Sequence, residues 1–241
     1  MAKAPSPYGL HIIQSCLSCP VREEGLFCHL GTEALTELNA LRQVSIYPKG
    51  SLLYVQDQEP RGIYVLCSGS AKLTTTSASG SALIVRVAES GDVLGLTAVI
   101  TNARHLVSAE TLEPTEANFL PRQDFLSFLR KHGEVSLRVA EILSREVRRA
   151  YEQLARIALA PTARAKLAGL LLEWANSHAR PNPKGLSFHL HLTHEELGEL
   201  IGSSRETVTR LLSDFHREGL LEVKGALITI PEPTKLEAAI A

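Results

Sequence analysis

The chain has 241 residues, 44% of them hydrophobic and 21% charged, with a mean hydropathy near zero. This is the composition of a globular protein rather than of a disordered tract or an integral membrane protein, and no apolar run approaches the roughly 18 residues that span a bilayer. A formal net charge of −1 gives no global pull toward nucleic acid, so any DNA contact must come from a local basic surface.

The opening MAKAPSPYGLHIIQS lacks the apolar core of a secretory signal, which predicts a cytoplasmic protein with no membrane partner. CLSCPVREEGLFCHL, residues 16–30, then carries three of the four cysteines: Cys16 and Cys19 with two residues between them, and Cys28 after eight more. In a reducing compartment clustered thiols hold metal or sense redox state more often than they form disulfides. Thiolates are soft ligands for an iron-sulfur cluster or zinc, and a Cys-x2-Cys turn lets two sulfurs reach one centre from a short loop. Three readings stand side by side: an iron-sulfur cluster; a structural zinc on Cys16, Cys19, Cys28 and either His29 or His11; and a thiol switch that uses two of the cysteines. For a cluster, the fourth ligand is open between Cys67, His29, Asp57, Glu23 and Glu24.

From about residue 40 to residue 120, short runs rich in Val, Ile, Leu and Tyr are broken by PKG, SG, ASG and ESGD. They predict strands joined by tight turns, and so an antiparallel sandwich or barrel. Alternation through IYVLC puts Cys67 on the face of Ile63 and Val65, where a buried, inert thiol is the simpler expectation. Lys72, Arg86, Arg130 and Lys131 read as solvated charges. The period then changes: Ala140, Leu143, Val147, Ala150, Leu154 and Ile157 follow one another at steps of three and four before Pro161 ends the helix. This seam predicts a homodimer through a coiled coil, although a helix lying on its own sheet shows a similar stripe. Residues 162–180 predict a further helix, and PNPKG (181–185) a loop.

LTHEELGELIGSSRETVTRLLSDFHREGLLEVKGALITI, residues 192–230, is the most informative stretch. Thr193 and Glu196 suit a capping box for a helix whose inner face is Leu197, Leu200 and Ile201. Gly202 permits a sharp turn, and Ser203 or Ser204 starts a second helix with a buried stripe of Val208, Leu211, Leu212 and Phe215. Two short helices about a glycine turn make a helix-turn-helix, whose second helix enters the major groove of DNA. Arg205, Glu206, Thr209 and Arg210 project from one side of that helix, away from the stripe. Arginine can take guanine O6 and N7, and glutamate accepts from cytosine N4; ion pairing on a solvated helix is the alternative use of these charges. EVKGALITI predicts a two-stranded wing turning at Lys224–Gly225, and HLHLTH (189–194) reads as a surface edge before the first helix.

SSRETVTRLL resembles the recognition helix of the CRP/FNR family of bacterial transcription regulators, and the resemblance extends over nearly the whole chain. It implies an α+β fold: an N-terminal β-roll of the cyclic-nucleotide-binding jelly-roll kind, a long dimerisation helix and a C-terminal winged helix-turn-helix. The implied divisions are 1–35 for the cysteine segment, 36–132 for the β-roll, 133–160 for the dimer helix and 161–241 for the DNA-binding domain. It also implies a regulator and not an enzyme, with double-stranded DNA and RNA polymerase as partners. In the family a TGA core in each half of an inverted repeat is read from the positions of Glu206 and Arg210; Ser203, Ser204, Arg205 and Thr209 complete the expected DNA-contacting set. Arg205 matches the cyclic-AMP receptor branch, and Thr209 is nearer to the FNR branch.

The resemblance also bears on the signal. A cyclic-AMP-binding member needs a glutamate where this chain has Leu96 and an Arg-Ser pair that is out of register here, with Arg104 and His105 as a candidate substitute clamp. The cysteine loop resembles the iron-sulfur loop of FNR, but with a longer second spacing, and the family's fourth cysteine falls on Thr115. The expectation is an iron-sulfur cluster on Cys16, Cys19 and Cys28, with zinc, a thiol switch or a cyclic nucleotide as alternatives. An iron-sulfur enzyme is the rival class; no nucleotide-binding glycine loop or second cysteine cluster supports it.

Overall fold

The computed structural model describes residues 8, 10, 13, 15–19, 25–182 and 185–240. The chain forms two compact units, Met1–Arg148 and Arg149–Ala241.

Two 3-10 turns, Cys16–Ser18 and Leu26–His29, precede helix α1 (Thr32–Leu41). The strand-and-turn texture that follows becomes β1 (Gln43–Tyr47), β2 (Leu52–Tyr54), β3 (Gly62–Ser68), β4 (Ala71–Thr76), β5 (Ala82–Ala88), β6 (Val93–Leu94), helix α2 (Leu96–Thr101), β7 (Ser108–Thr111) and β8 (Thr115–Pro121). Helices α3 (Arg122–Lys131) and α4 (Gly133–Leu159) come next. The strands pair antiparallel into two sheets, in the orders β1-β8-β3-β6 and β2-β7-β4-β5.

Because successive strand residues point to opposite faces, β3 and β8 each serve two cores. Ile63 and Val65 enter one core with Phe27, Leu30, Leu35 and Leu38 from the N-terminal side, Phe125 and Phe128 from α3, and Val135, Val139 and Ile142 from α4. Leu66 and Ala117 face the other way, into a second core with Leu53, Tyr54, Leu73 and Ala109. Phe27 meets Phe125 edge to face at 6.1 Å, so the cysteine-bearing segment is anchored by aromatic burial and not by covalent links.

The second unit takes in the end of α4 and then α5 (Ala163–His178), capped by the Thr162 hydroxyl, and continues through β9 (Arg180–Asn182), β10 (Gly185–His189), α6 (His194–Ile201), α7 (Arg205–Arg217), β11 (Glu222–Lys224), β12 (Leu227–Ile230) and α8 (Pro233–Glu237). Its sheet has the order β11-β12-β10-β9. Together the elements give the expected α+β architecture of antiparallel β-roll, long helix and winged helix-turn-helix.

Two local expectations shift. Residue 180, expected as the end of a helix, and residues 181, 182 and 185, expected as loop, pair as strands instead, and Pro181 is tolerated because β9 is an edge strand. The wing turns one residue later than expected, at Gly225–Ala226, because Lys224 pairs with Leu227. Among the described residues no helix is long and apolar enough to cross a membrane.

The β3–β4 turn depends on a glycine for two reasons. Gly69 has φ +80°, and a Cβ there would lie 2.5 Å from Thr115 Oγ1 and 2.7 Å from Pro114 O, whereas Gly80 at φ +85° has open space around it. Gly69→Ala is expected to cost about 2–4 kcal/mol in urea unfolding and Gly80→Ala about 1 kcal/mol. Equal losses would show that the contact with Thr115 contributes nothing.

Candidate functional site

Ser15 caps the first 3-10 turn by accepting from the Leu17 N–H at 3.2 Å, which sets Cys16 and Cys19 at the turn's two ends. The second turn places Cys28 next to the buried Phe27. Cys28 Sγ needs room there, since a Cβ on Gly25 would stand 3.0 Å from it and 3.2 Å from Gly91 Cα. Cys16, Cys19 and Cys28 line one cavity, and the fourth cysteine, Cys67 of β3, lines it too. The rest of the wall is apolar, from Ile13, Phe27, Leu35, Leu38, Val65 and Leu120, with the Asn118 amide beside them. All four cysteines are half-buried thiols.

Among the described residues, no three His, Cys, Asp or Glu side chains are placed to hold a single metal ion. Tetrahedral zinc draws its sulfurs to within about 2.3 Å of one point. An iron-sulfur cluster is several atoms across and takes its thiolates from further apart. Thiolates are soft donors, and four thiols lining a mostly apolar cavity are a donor set of the kind that holds an iron-sulfur cluster or zinc. The other candidate ligands do not join them: His29 is exposed, and Asp57 lies exposed in the β2–β3 turn with φ +65°. His11, Glu23 and Glu24 lie outside the described residues.

A polar network ties this segment to β8. Glu116, with no exposed surface, accepts the Ile13 N–H on its two carboxylate oxygens at 2.9 and 3.1 Å. Arg42 Nη1 donates to Ile13 O at 3.1 Å and to Asn118 Oδ1 at 3.0 Å. Its Nε donates to Asn39 Oδ1 at 3.1 Å, and the same oxygen accepts the Cys16 N–H at 2.9 Å. A guanidinium is a donor only, so it fixes the Asn118 oxygen toward itself and leaves Nδ2 to donate to Cys67 Sγ at 2.9 Å. Burial pushes the Cys16 thiol up against the opposing pull of Arg42, and pushes Cys67 up strongly, with the Glu116 charge adding to it. Burial also raises Glu116, with the Ile13 N–H and Arg42 opposing. Sequence reasoning missed Asn39, Arg42, Glu116 and Asn118; the available signal was two polar residues at alternate positions in TEANFLP, where a core face was due.

The residues expected to bear on a nucleotide phosphate are not brought together. Leu96 is buried at the start of α2. Arg104 is exposed, while His105 is buried and stacks on Tyr54 with centroids 4.0 Å apart, so the two do not form a clamp. Arg86 is not a solvated charge: it is largely buried and bridges Asp92 at 2.7 Å and Glu146 of α4 at 3.2 Å. Lys72 pairs with Glu110 at 3.5 Å and Lys131 with Glu37, and Arg130 is exposed.

In the second unit, Thr193 and Glu196 complete the capping box of α6, and Gly202 ends that helix at φ +65°. Ser204 caps α7 by accepting from the Thr207 N–H at 3.2 Å, and the Ser203 N–H donates to Gly198 O at 2.8 Å. Gly198 is a further residue that sequence reasoning missed: a Cβ there would lie 2.6 Å from Ser203 O, so only glycine lets the two helices meet this closely. Its signal was a glycine inside a helix. Val208, Leu211, Leu212 and Phe215 are buried, while Arg205, Glu206, Thr209 and Arg210 are exposed on α7. Hydrogen bonds from its own backbone N–H and the Ser204 hydroxyl hold Glu206 below the usual carboxylate range, which keeps it an acceptor. The Thr209 hydroxyl donates to Arg205 O at 2.9 Å and lies 2.8 Å from His194 Nδ1. His189 and His191 stack on each other at 6.0 Å.

Helix α4 carries two stripes. Val135, Val139 and Ile142 are buried in the first core, and Leu143 packs half-buried against it. Ala140 and Ala150 are exposed, as are Leu137 (63%), Val147 (55%), Tyr151 (68%) and Leu154 (62%); the Ile157 side chain lies outside the described ones.

Residues 44–132 match the family model described as a cyclic nucleotide-binding domain, and residues 165–239 the one described as a Crp-like helix-turn-helix domain. The regulatory protein HlyX of Actinobacillus pleuropneumoniae is 27% identical over 216 residues, 89% of each chain. The fumarate and nitrate reduction regulatory protein of Yersinia pestis is 25% identical over 224 residues, 92% of this chain and 87% of its own. The structure of FixK2 from Bradyrhizobium japonicum superposes with a TM-score of 0.74 at 22% identity, covering 83% of this chain and 98% of that one, and shows the shared fold.

The buried Glu116 makes stability depend on pH. Its folded pKa stands above the unfolded value, so its contribution is fully present below the unfolded pKa and is lost as pH rises through the folded one. In metal-free protein, the unfolding free energy of the wild type minus that of Glu116→Gln is expected to decline as pH rises above the ordinary carboxylate range. A difference that does not change with pH in chemical denaturation would contradict this.

Proposed function

Since the chain belongs to the CRP/FNR family of transcription regulators and not to an enzyme family, we propose that it binds DNA as a homodimer under the control of an iron-sulfur cluster on Cys16, Cys19 and Cys28. The target is an inverted repeat with a TGA core in each half-site, the compartment is the cytoplasm and the downstream partner is RNA polymerase. The observation that carries the reading is the gathering of the N-terminal thiols on one mostly apolar cavity in a chain that also carries a helix-turn-helix.

When bound, such a cluster supplies an iron centre whose state changes with oxidants. The chain's own residues do the rest. Phe27, Leu35, Leu38 and Val65 border both the cavity and the first core, and that core also takes Val135, Val139 and Ile142 of α4. A change in the cavity is therefore felt at the inner stripe of α4. The outer stripe, Leu137, Ala140, Ser144, Val147, Tyr151 and Leu154, runs at alternating steps of three and four and forms the dimer seam. Ala140, Val147 and Leu154 belong to the seam expected from sequence, while Leu143 is turned toward its own core. Small and polar seam residues keep the dimer weak enough to be shifted by a ligand that favours one state.

On DNA, Arg210 and Glu206 read the core bases, Arg205 and Ser203 flank them, and the capping Ser204 presents the helix N-terminus to phosphate. The Thr209 hydroxyl already serves Arg205 O, so its methyl group is what meets a base.

Glu206→Ala and Arg210→Ala are each expected to cost about 1–3 kcal/mol of discrimination between a TGA-containing repeat and one altered at the core, measured by fluorescence anisotropy. Equal weakening on both sequences would show that these side chains contact only the backbone. Anaerobic purification is expected to give a brown protein with a broad band near about 400 nm, with iron and sulfide that are lost in air. A colourless protein with about one zinc per chain would overturn the cluster.

A further inference from the structure

Resting on the iron-sulfur reading above, we propose that Cys67 supplies the fourth thiolate of the cluster, in place of the late-strand position that Thr115 occupies. The two faces of β8 decide between the positions. Asn118 and Leu120 line the cysteine cavity, while Ala117 lies in the opposite core, so even-numbered residues of β8 face the thiols and odd-numbered ones face away. Thr115 is odd-numbered and fully buried, and its hydroxyl donates to Glu113 O at 2.9 Å and Ser70 O at 3.2 Å. A ligand at that position would point into the wrong core. Glu116, one residue on, has both carboxylate oxygens on the Ile13 N–H.

On the neighbouring strand the geometry favours Cys67. The register of β3 against β8 runs from Leu66 opposite Ala117 to Ser68 opposite Glu116, so Cys67 is the extra residue of a β-bulge. Bulges re-aim side chains, and this one leaves Cys67 on the cavity that Val65 also lines. The Asn118 amide donates to its sulfur at 2.9 Å, the kind of outer contact that orients a metal-binding thiolate and tunes its centre. Arg42 holds that amide and, through Asn39, the Cys16 backbone, so one side chain sets the loop and the strand thiols together. On ligation Cys67 loses its proton to solvent and bonds iron as the thiolate.

The test is anaerobic reconstitution of the full-length wild type, Cys67→Ala and the near-isosteric Cys67→Ser, read by iron and sulfide per chain, absorbance and the electron paramagnetic resonance of the reduced protein. The wild type is expected to hold roughly four irons and four sulfides per chain. Cys67→Ala is expected to lose iron several-fold, and Cys67→Ser to show an altered resonance from oxygen ligation, with metal-free Cys67→Ser melting as the wild type does. Adding Thr115→Cys to Cys67→Ala is expected not to restore the cluster. If Cys67→Ser, or a folded Cys67→Ala, keeps wild-type iron, sulfide and spectra, Cys67 is not a ligand, and the cluster on the N-terminal thiols still stands. A wild type that takes up no iron overturns the cluster and Cys67's part in it together.

Discussion

Arg42 is the constraint on which the candidate site depends. Its guanidinium donates to the Ile13 carbonyl and to the Asn39 and Asn118 amide oxygens, and its charge lies near that of Glu116. Burying Glu116 without a positive neighbour would be costly, and burying Arg42 without acceptors equally so. Arg42 on Ile13 O and Asn118 Oδ1, together with Glu116 on the Ile13 N–H, holds Ile13 against β8 beside the cavity that the sulfurs line.

The same packing explains how a small site reaches a long helix. The cavity and the inner stripe of α4 belong to one close-packed core, and close-packed interiors transmit small volume changes because they have no slack to absorb them. Arg86 adds a second link, joining the β5–β6 region to Glu146 of α4 through a largely buried ion pair. Because Arg86 holds Asp92 and Glu146 at once, the contact ties this face of the helix to the β-roll.

Local chemistry was legible in the sequence wherever a single short stretch determines the structure. Thr193, Glu196 and Gly202 specify the first helix of the helix-turn-helix by capping and by a left-handed turn, and the glycine-punctuated apolar runs specify the strands. Long-range placement was less legible. Alternation correctly predicts that Cys67 shares a face with Val65, but only the three-dimensional pairing shows that this face meets the cysteine loop and not plain hydrocarbon. The phase of the α4 seam was ambiguous for a different reason: the helix carries two apolar stripes, and Leu143 fits the spacing of one while packing with the other. Arg42 and Asn39 had no pattern of their own, and the alternating Glu116 and Asn118 named no partner, since their roles exist only after β1, β3 and β8 are side by side.

The central claim is that occupancy of the cysteine cavity sets DNA binding through α4. The most direct measurement is the affinity of one anaerobic preparation for a TGA-containing inverted repeat, before and after its cluster is stripped by oxidant and chelator, with dimerisation followed by analytical ultracentrifugation on the same samples. The account predicts that stripping changes operator affinity by at least about tenfold, a difference of about 1.4 kcal/mol between the two states. Equal affinity and equal dimerisation in both forms would contradict it.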